Sequence, residues 1–167
     1  LWRQNRLRLS GEQVRDTLLA LSGKLDLTMG GPSAVQFNAR GDATFNAGGN
    51  PAFVDYAQFD PDAPAARRRA IYRFLFRTVP DPFMDALDCP DGSVFTPVRS
   101  ASTTARQALA MLNDPFVLRQ SEHTAARIAV KAATPEAQAE AAFRLILLRH
   151  PQPDELTKLS DCIRRFG

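Results

Sequence analysis

No stretch of this 167-residue sequence approaches the run of roughly 20 apolar residues that carries a helix across a bilayer. None resembles the short apolar core of a signal peptide behind a basic start, and no membrane span is expected. The two cysteines, Cys89 and Cys162, form no Cys-x-x-Cys pair. That excludes a zinc knuckle and a thioredoxin-type motif, and without Cys-x-x-Cys-His no haem c is attached within this chain. Charge of one sign is also scarce: the formal net charge is +3 and the pI near 9.2, far from the basic footprint of a nucleic-acid binder.

What is present is ordinary globular material, 44% hydrophobic and 23% charged, enough to fill one core, and a single domain over residues 1–167 is the expectation. The chain opens at Leu1 inside a charged stretch with Trp2, Arg3, Arg6 and Arg8, and it reads as a piece of something longer.

Ser10 with Gln13 three residues on makes a capping box, and Leu9 with Val14 a hydrophobic staple. Val14, Leu18, Leu21 and Leu25 recur at helical spacing and Gly23 suits a left-handed end, which predicts a helix over 11–22. From Thr28 to Pro64 the pattern breaks on Gly30-Gly31-Pro32, Gly41 and Gly48-Gly49, with Phe37, Phe45, Phe53 and Phe59 between. A long packed loop with a short strand around 34–38 is the reading. Residues 71–79, IYRFLFRTV, alternate with Tyr72, Phe74 and Phe76 on one side and Arg73 and Arg77 on the other; a strand is predicted, against the competing reading of a helix from Pro64 onward.

The remainder reads as helices. Ala105, Ala108, Leu109 and Leu112 fall at i, i+3, i+4 and i+7, one apolar face expected to pack inward. Asn113 stops that helix, and Asp114 caps the next with Pro115 at its first position, where the missing N–H costs nothing. Thr134-Pro135-Glu136 repeats the device, Arg149-His150-Pro151 ends that helix, and Pro153-Asp154-Glu155 starts the last, with Leu156, Leu159 and Ile163 facing in. The fold class is therefore mainly α: a helical domain with a small two-stranded β element and a long packed Gly/Pro-rich loop.

Several groups invite chemistry. Asp81, Asp85, Asp88 and Asp91 form an acidic run whose spacing suits turns and caps better than a calcium loop, and no metal site is expected. Arg77, Arg99 and Asp88 suit a buried ion-pair cluster, or a clamp for an anionic ligand such as a sulfated sugar. Cys89 with His123 or His150 is a weak pattern for a thiolate and its base, and Arg67-Arg68-Arg69 is read as a solvated face.

The stretches RRAIYRFLFRTVPDPFMDALDCPDG and PVRSASTTARQALAMLNDPFVL, with RLRLSGEQVRDTLLALSGKLDLTMGGP and FRLILLRHPQPDEL, resemble the planctomycete C-terminal domain called "PSD-one", of unknown function. The matching positions are Arg15, Asp16, Gly30, Gly31, Pro32, Tyr72, Arg77, Asp88, Pro90, Arg99, Thr104, Gln107, Asn113 and Asp114. Ala105 stands where that family usually has proline. The resemblance implies the C-terminal part of an exported multidomain protein, with a cytochrome-c-like haem partner upstream and no cofactor in this chain.

The function expected on these grounds is a structural module packing against upstream domains of its parent. Arg77, Asp88, Arg99, Thr104, Gln107, Asn113 and Asp114 are its candidate polar cluster, acting as internal fasteners. The alternative is a polysaccharide-active enzyme or a module binding anionic polysaccharide, with those side chains around a cleft.

Overall fold

A computed structural model describes residues 7–40, 53–76, 79–90, 98–99 and 102–166. Seven helices are seen among them: α1 Gly11–Ser22, α2 Pro64–Arg67, α3 Pro82–Ala86, α4 Ala105–Asn113, α5 Pro115–Ala129, α6 Pro135–Leu147 and α7 Pro153–Phe166. Two strands, β1 Asn38–Arg40 and β2 Phe53–Asp55, pair antiparallel with Asn38 opposite Asp55 and Arg40 opposite Phe53. The mainly helical class with a small two-stranded element is as expected, and no helix among the described residues is long and apolar enough to cross a membrane.

Local chemistry accounts for the helix ends. Ser10 and Gln13 form the reciprocal capping box, and Gly23 closes α1 at φ 74°, a left-handed conformation that costs glycine little. Thr104 and Gln107 form a second capping box at the start of α4, and Thr134 caps α6. Asp114 ends α4 and caps α5 in one residue. The stop and start read from Asn-Asp-Pro is what the chain does.

The buried side of α1 is Gly11, Arg15, Leu19 and Ser22, one row over from the Val14, Leu18 and Leu21 face, which is half-buried. Polar residues hold this row because their partners are inside: Arg15 donates to backbone carbonyls, and Ser22 donates to the Gln120 side-chain oxygen at 2.8 Å. α1 runs along α5, and Phe83, Met84 and Val117 form the core where α3 meets α5, with Leu18, Leu87, Ala110, Met111 and Phe116 packed around them. α6 and α7 pack chiefly on each other, with Ala139 and Ser160 buried between helices, and α6 joins the rest through α5.

Two expectations are corrected. Residues 71–79 do not form a strand: Ala70–Tyr72 is a 3-10 turn, Arg73 makes a single parallel bridge with Ala34, and 77–78 lie outside the described residues. Alternation survives without a ladder, since Phe74 and Phe76 pack tilted and edge-on against Phe37, with ring centroids 6.0 and 5.9 Å away, while Arg73 points the other way. That other side is interior, because Arg73 there finds Gln36 and Asp81. The helix reading from Pro64 holds for α2 alone.

The apolar face of α4 is also turned outward. Leu109 is 59% and Leu112 69% exposed, and the buried residue is Gln107. Gln107 decides the rotation, since its amide serves four partners, Arg8, Asp88, Ser102 and the Thr104 N–H.

Candidate functional site

The tripeptide Asp-Pro-Phe occurs twice, at 81–83 and 114–116, and each copy opens a helix. An Asp81 oxygen accepts from the Phe83 N–H at 2.9 Å and the Met84 N–H at 3.4 Å; an Asp114 oxygen accepts from the Phe116 N–H at 2.9 Å. Each proline occupies the first helical turn, where no donor is lost. The two turns meet: the Phe83 and Phe116 rings lie 6.1 Å apart, and both Asp-Pro-Phe segments line one cavity of about 190 Å³ with Arg15, Tyr56 and Phe59.

Arg15 is 3% exposed and stacks 4.9 Å from the centre of the Phe116 ring. It donates to the carbonyls of Ala66 at 2.5 Å and Arg68 at 2.9 Å, tying α1 to the end of α2. Arg73 bonds the second Asp81 oxygen and donates to Gln36, whose amide donates in turn to the Ala65 carbonyl at 2.7 Å. Burial, then the charge of Arg73, pulls the Arg15 pKa down to about 10. Burial chiefly, with the nearby charge of Asp81, pushes the Asp114 carboxyl up. Burial and then Asp81 likewise raise the Tyr56 phenol.

A second polar knot sits at the start of α4. Asp88, at φ 59°, accepts from the Ser102 N–H at 2.6 Å and from the Gln107 amide at 2.9 Å. The Gln107 oxygen receives Arg8 at 2.6 Å and the Thr104 N–H at 3.3 Å. Arg8 also donates to Thr103 and to the Ser102 carbonyl. Bonds from the Ser102 backbone and then its hydroxyl hold the Asp88 carboxyl below its ordinary range.

These joints are built from positions that the PSD1 family model, describing proteins of unknown function (DUF1553), matches over residues 1–163. The chain belongs to the PSD1 family. No curated protein and no solved structure matches it.

Of the residues expected to cluster in this PSD1 chain, Asp88, Thr104 and Gln107 come together. Asp114 lies in the cavity instead, Asn113 donates back to the Leu109 carbonyl at 2.9 Å, and Arg77 lies outside the described residues. Arg99 is exposed and pairs with Glu12 at 2.9 Å, so the expected buried cluster of Arg99 with Asp88 does not form. Among the described residues the buried arginines are Arg15 and Arg73, which no local signal separates from their exposed neighbours.

Nor do the expected reactive groups meet. His123 bonds Asp62 at 2.6 Å, His150 bonds Glu140 at 3.1 Å, and both cysteines are free thiols. Burial, and then the charge of Glu12, pushes the Cys89 thiol up to about 11, far from a thiolate. Asp81 caps α3, Asp85 pairs with Arg106 at 2.7 Å, Asp91 lies outside the described residues, and no group of metal-ligating side chains occurs among those described. Arg68 is no solvated residue: it donates to the Gly30 carbonyl at 2.6 Å and stacks 4.3 Å from the Tyr72 ring, whose hydroxyl accepts from the Gly30 N–H at 2.9 Å. The twin Asp-Pro-Phe turns are what the sequence reading missed, and the repeated tripeptide was the available signal.

Proposed function

We propose that this PSD1 chain is a structural and interaction module of a larger exported protein, packing against upstream domains of that parent, any haem being carried upstream. The observation that carries the reading is the rotation of α4. An amphipathic helix normally buries its apolar stripe, yet α4 turns Gln107 inward and leaves Leu109 and Leu112 to the outside. Its polar side chains work as internal fasteners: Arg15 on the Ala66 and Arg68 carbonyls, Asp16 on the Ala70 N–H at 2.7 Å, Tyr72 on Gly30, and Asp88 on Ser102 and Gln107. Polar groups so occupied are building material, and the uncovered apolar stripe supports a role in contact with another body.

The test is direct. This chain and the upstream part of its parent are produced separately and mixed in a calorimeter. Saturable binding, weakened at least tenfold by Leu109→Glu or Leu112→Glu with the helical circular dichroism unchanged, is the expected result. Absence of binding between the two folded parts would overturn the reading.

A further inference from the structure

The cavity between the two Asp-Pro-Phe turns is lined by a carboxyl that no described cation pairs with. Asp81 is paired with Arg73. Arg15 lies 3.8 Å from Asp16 and turns its terminal nitrogens to the Ala66 and Arg68 carbonyls. Asp114 has no cation within ion-pair distance among the described residues, and its carboxyl is engaged by the backbone of the first turn of α5, from Phe116 and Val117.

The surroundings of Asp114 select among ligands. The rings of Tyr56, Phe59 and Phe116 line the same hollow, with proline and alanine carbons between them. An anion would meet two carboxylates there, and the guanidinium on the same wall, Arg15, has its terminal nitrogens engaged by the Ala66 and Arg68 carbonyls. A purely apolar guest would strip water from Asp114 and return nothing for it. A cation on a short carbon stem satisfies both parts, since the carboxylate matches its charge, the ring faces attract it, and the stem fills the apolar remainder. The upward shift of the Asp114 carboxyl is consistent with a site that lacks its counter-charge.

We propose that this cavity binds an alkylammonium group, with its nitrogen at Asp114 and its carbon stem against Tyr56, Phe59 and Phe116. The proposal goes beyond the module reading and stands without it. Two sources carry this chemistry, a free small amine and the lysine side chain of another polypeptide.

The experiment titrates the isolated chain with n-butylammonium, 1-butanol and Nα-acetyl-lysine methylamide, following resonances of the cavity residues by NMR. Saturable shifts with n-butylammonium, at least tenfold weaker binding by Asp114→Asn, and unchanged binding by Asp85→Asn are expected. Asparagine caps a helix as well as aspartate, so Asp114→Asn removes the charge and keeps the fold; Asp85 is a carboxylate outside the cavity. Binding of the lysine derivative as tight as that of the amine assigns the site to a polypeptide lysine, and binding of the amine alone to a free amine; both support the proposal. No saturable shift, equal affinity in Asp114→Asn, or 1-butanol binding as tightly as the amine would overturn it, whatever the upstream domains do.

Discussion

The side chain of Gln107 lies 2.9 Å from Asp88, and across that bond the first turn of α4 holds a non-glycine residue in the left-handed region at φ 59°. Asp88 accepts from the Ser102 backbone and hydroxyl as well, so the turn after α3, the residues before α4 and α4 itself close on one carboxylate. Buried Gln107 also receives Arg8, so the knot reaches the segment leading into α1.

Truncating that amide should loosen three segments at once. Gln107→Ala leaves Asp88 short of a donor and Thr104 without its reciprocal cap, and should lower stability by about 1–3 kcal/mol. Urea unfolding followed by circular dichroism measures it. A change inside a few tenths of a kcal/mol would mean water replaces the amide without loss.

The outward rotation of α4 separates two leucines that periodicity treats alike. Leu112→Ala should leave stability within about 0.5 kcal/mol, as for an ordinary surface site, because its side chain is largely in solvent. Leu19→Ala, at a fully buried position of α1, should cost about 2–5 kcal/mol. A large loss at Leu112 in the isolated chain would contradict the rotation on which the module reading rests.

Legibility followed distance along the chain. The starts of α1, α5 and α6 were readable because a cap and its donor lie within four residues, as in Ser10 with Gln13, with a proline at the first helical position added in α5 and α6, as in Asp114 with Pro115 and Phe116. The strand expected over 71–79 failed because alternation names a face and not a partner: among the described residues only Ala34 bridges Arg73 there, while the ladder forms between β1 and β2. At the candidate site Asp88, Thr104, Gln107 and Asp114 were expected in one polar cluster, and the first three meet there. That Asp114 belongs with Asp81, Arg15 and Tyr56 is fixed by four separate segments meeting at one cavity, a relation no local pattern records.

Asp114 itself can be dissected by two substitutions. Asp114→Ala loses the cap of α5 and should cost about 1 kcal/mol. Asp114→Asn keeps the cap and removes a carboxylate that burial and Asp81 disfavour. A carboxyl whose pKa is higher folded than unfolded binds its proton more tightly in the native state, so its penalty is greatest above the folded pKa and disappears below the unfolded one. The asparagine variant should therefore unfold at a higher urea concentration than the parent at neutral pH, with the difference shrinking as the pH falls through the raised value. An advantage that grew on acidification would reverse the sign of the argument.

Gly11 marks a close approach of α1 to the turn after α3. A Cβ there would lie 2.5 Å from the Cys89 sulfur and 2.9 Å from the Leu87 Cβ. Gly11→Ala should cost about 1–3 kcal/mol through overpacking. Adding Cys89→Ala removes the nearer obstacle, so the double variant should lose less than the two single losses summed. Additive losses in that cycle would show that the helix start shifts away from Cys89 instead of pressing on it.

The corner between α6 and α7 has its own acid response. Arg149 grips both oxygens of Glu155 at 2.7 Å, and Glu155 also accepts from the Gln152 N–H at 2.8 Å. The Arg149 bonds first, and then the backbone bond, hold the Glu155 carboxyl down at about 2. A carboxyl depressed by folding favours the native state at every pH above its unfolded value, and that contribution fades as the pH falls through the folded value. Acidification below the ordinary carboxylate range should thus release this clasp, and the protection of the first α7 amides against hydrogen exchange, relative to the intrinsic rate at each pH, should fall towards pH 2. Glu155→Gln should show the lower protection already at neutral pH and lose its acid dependence. An unchanged acid limb in that variant would overturn the assignment to Glu155.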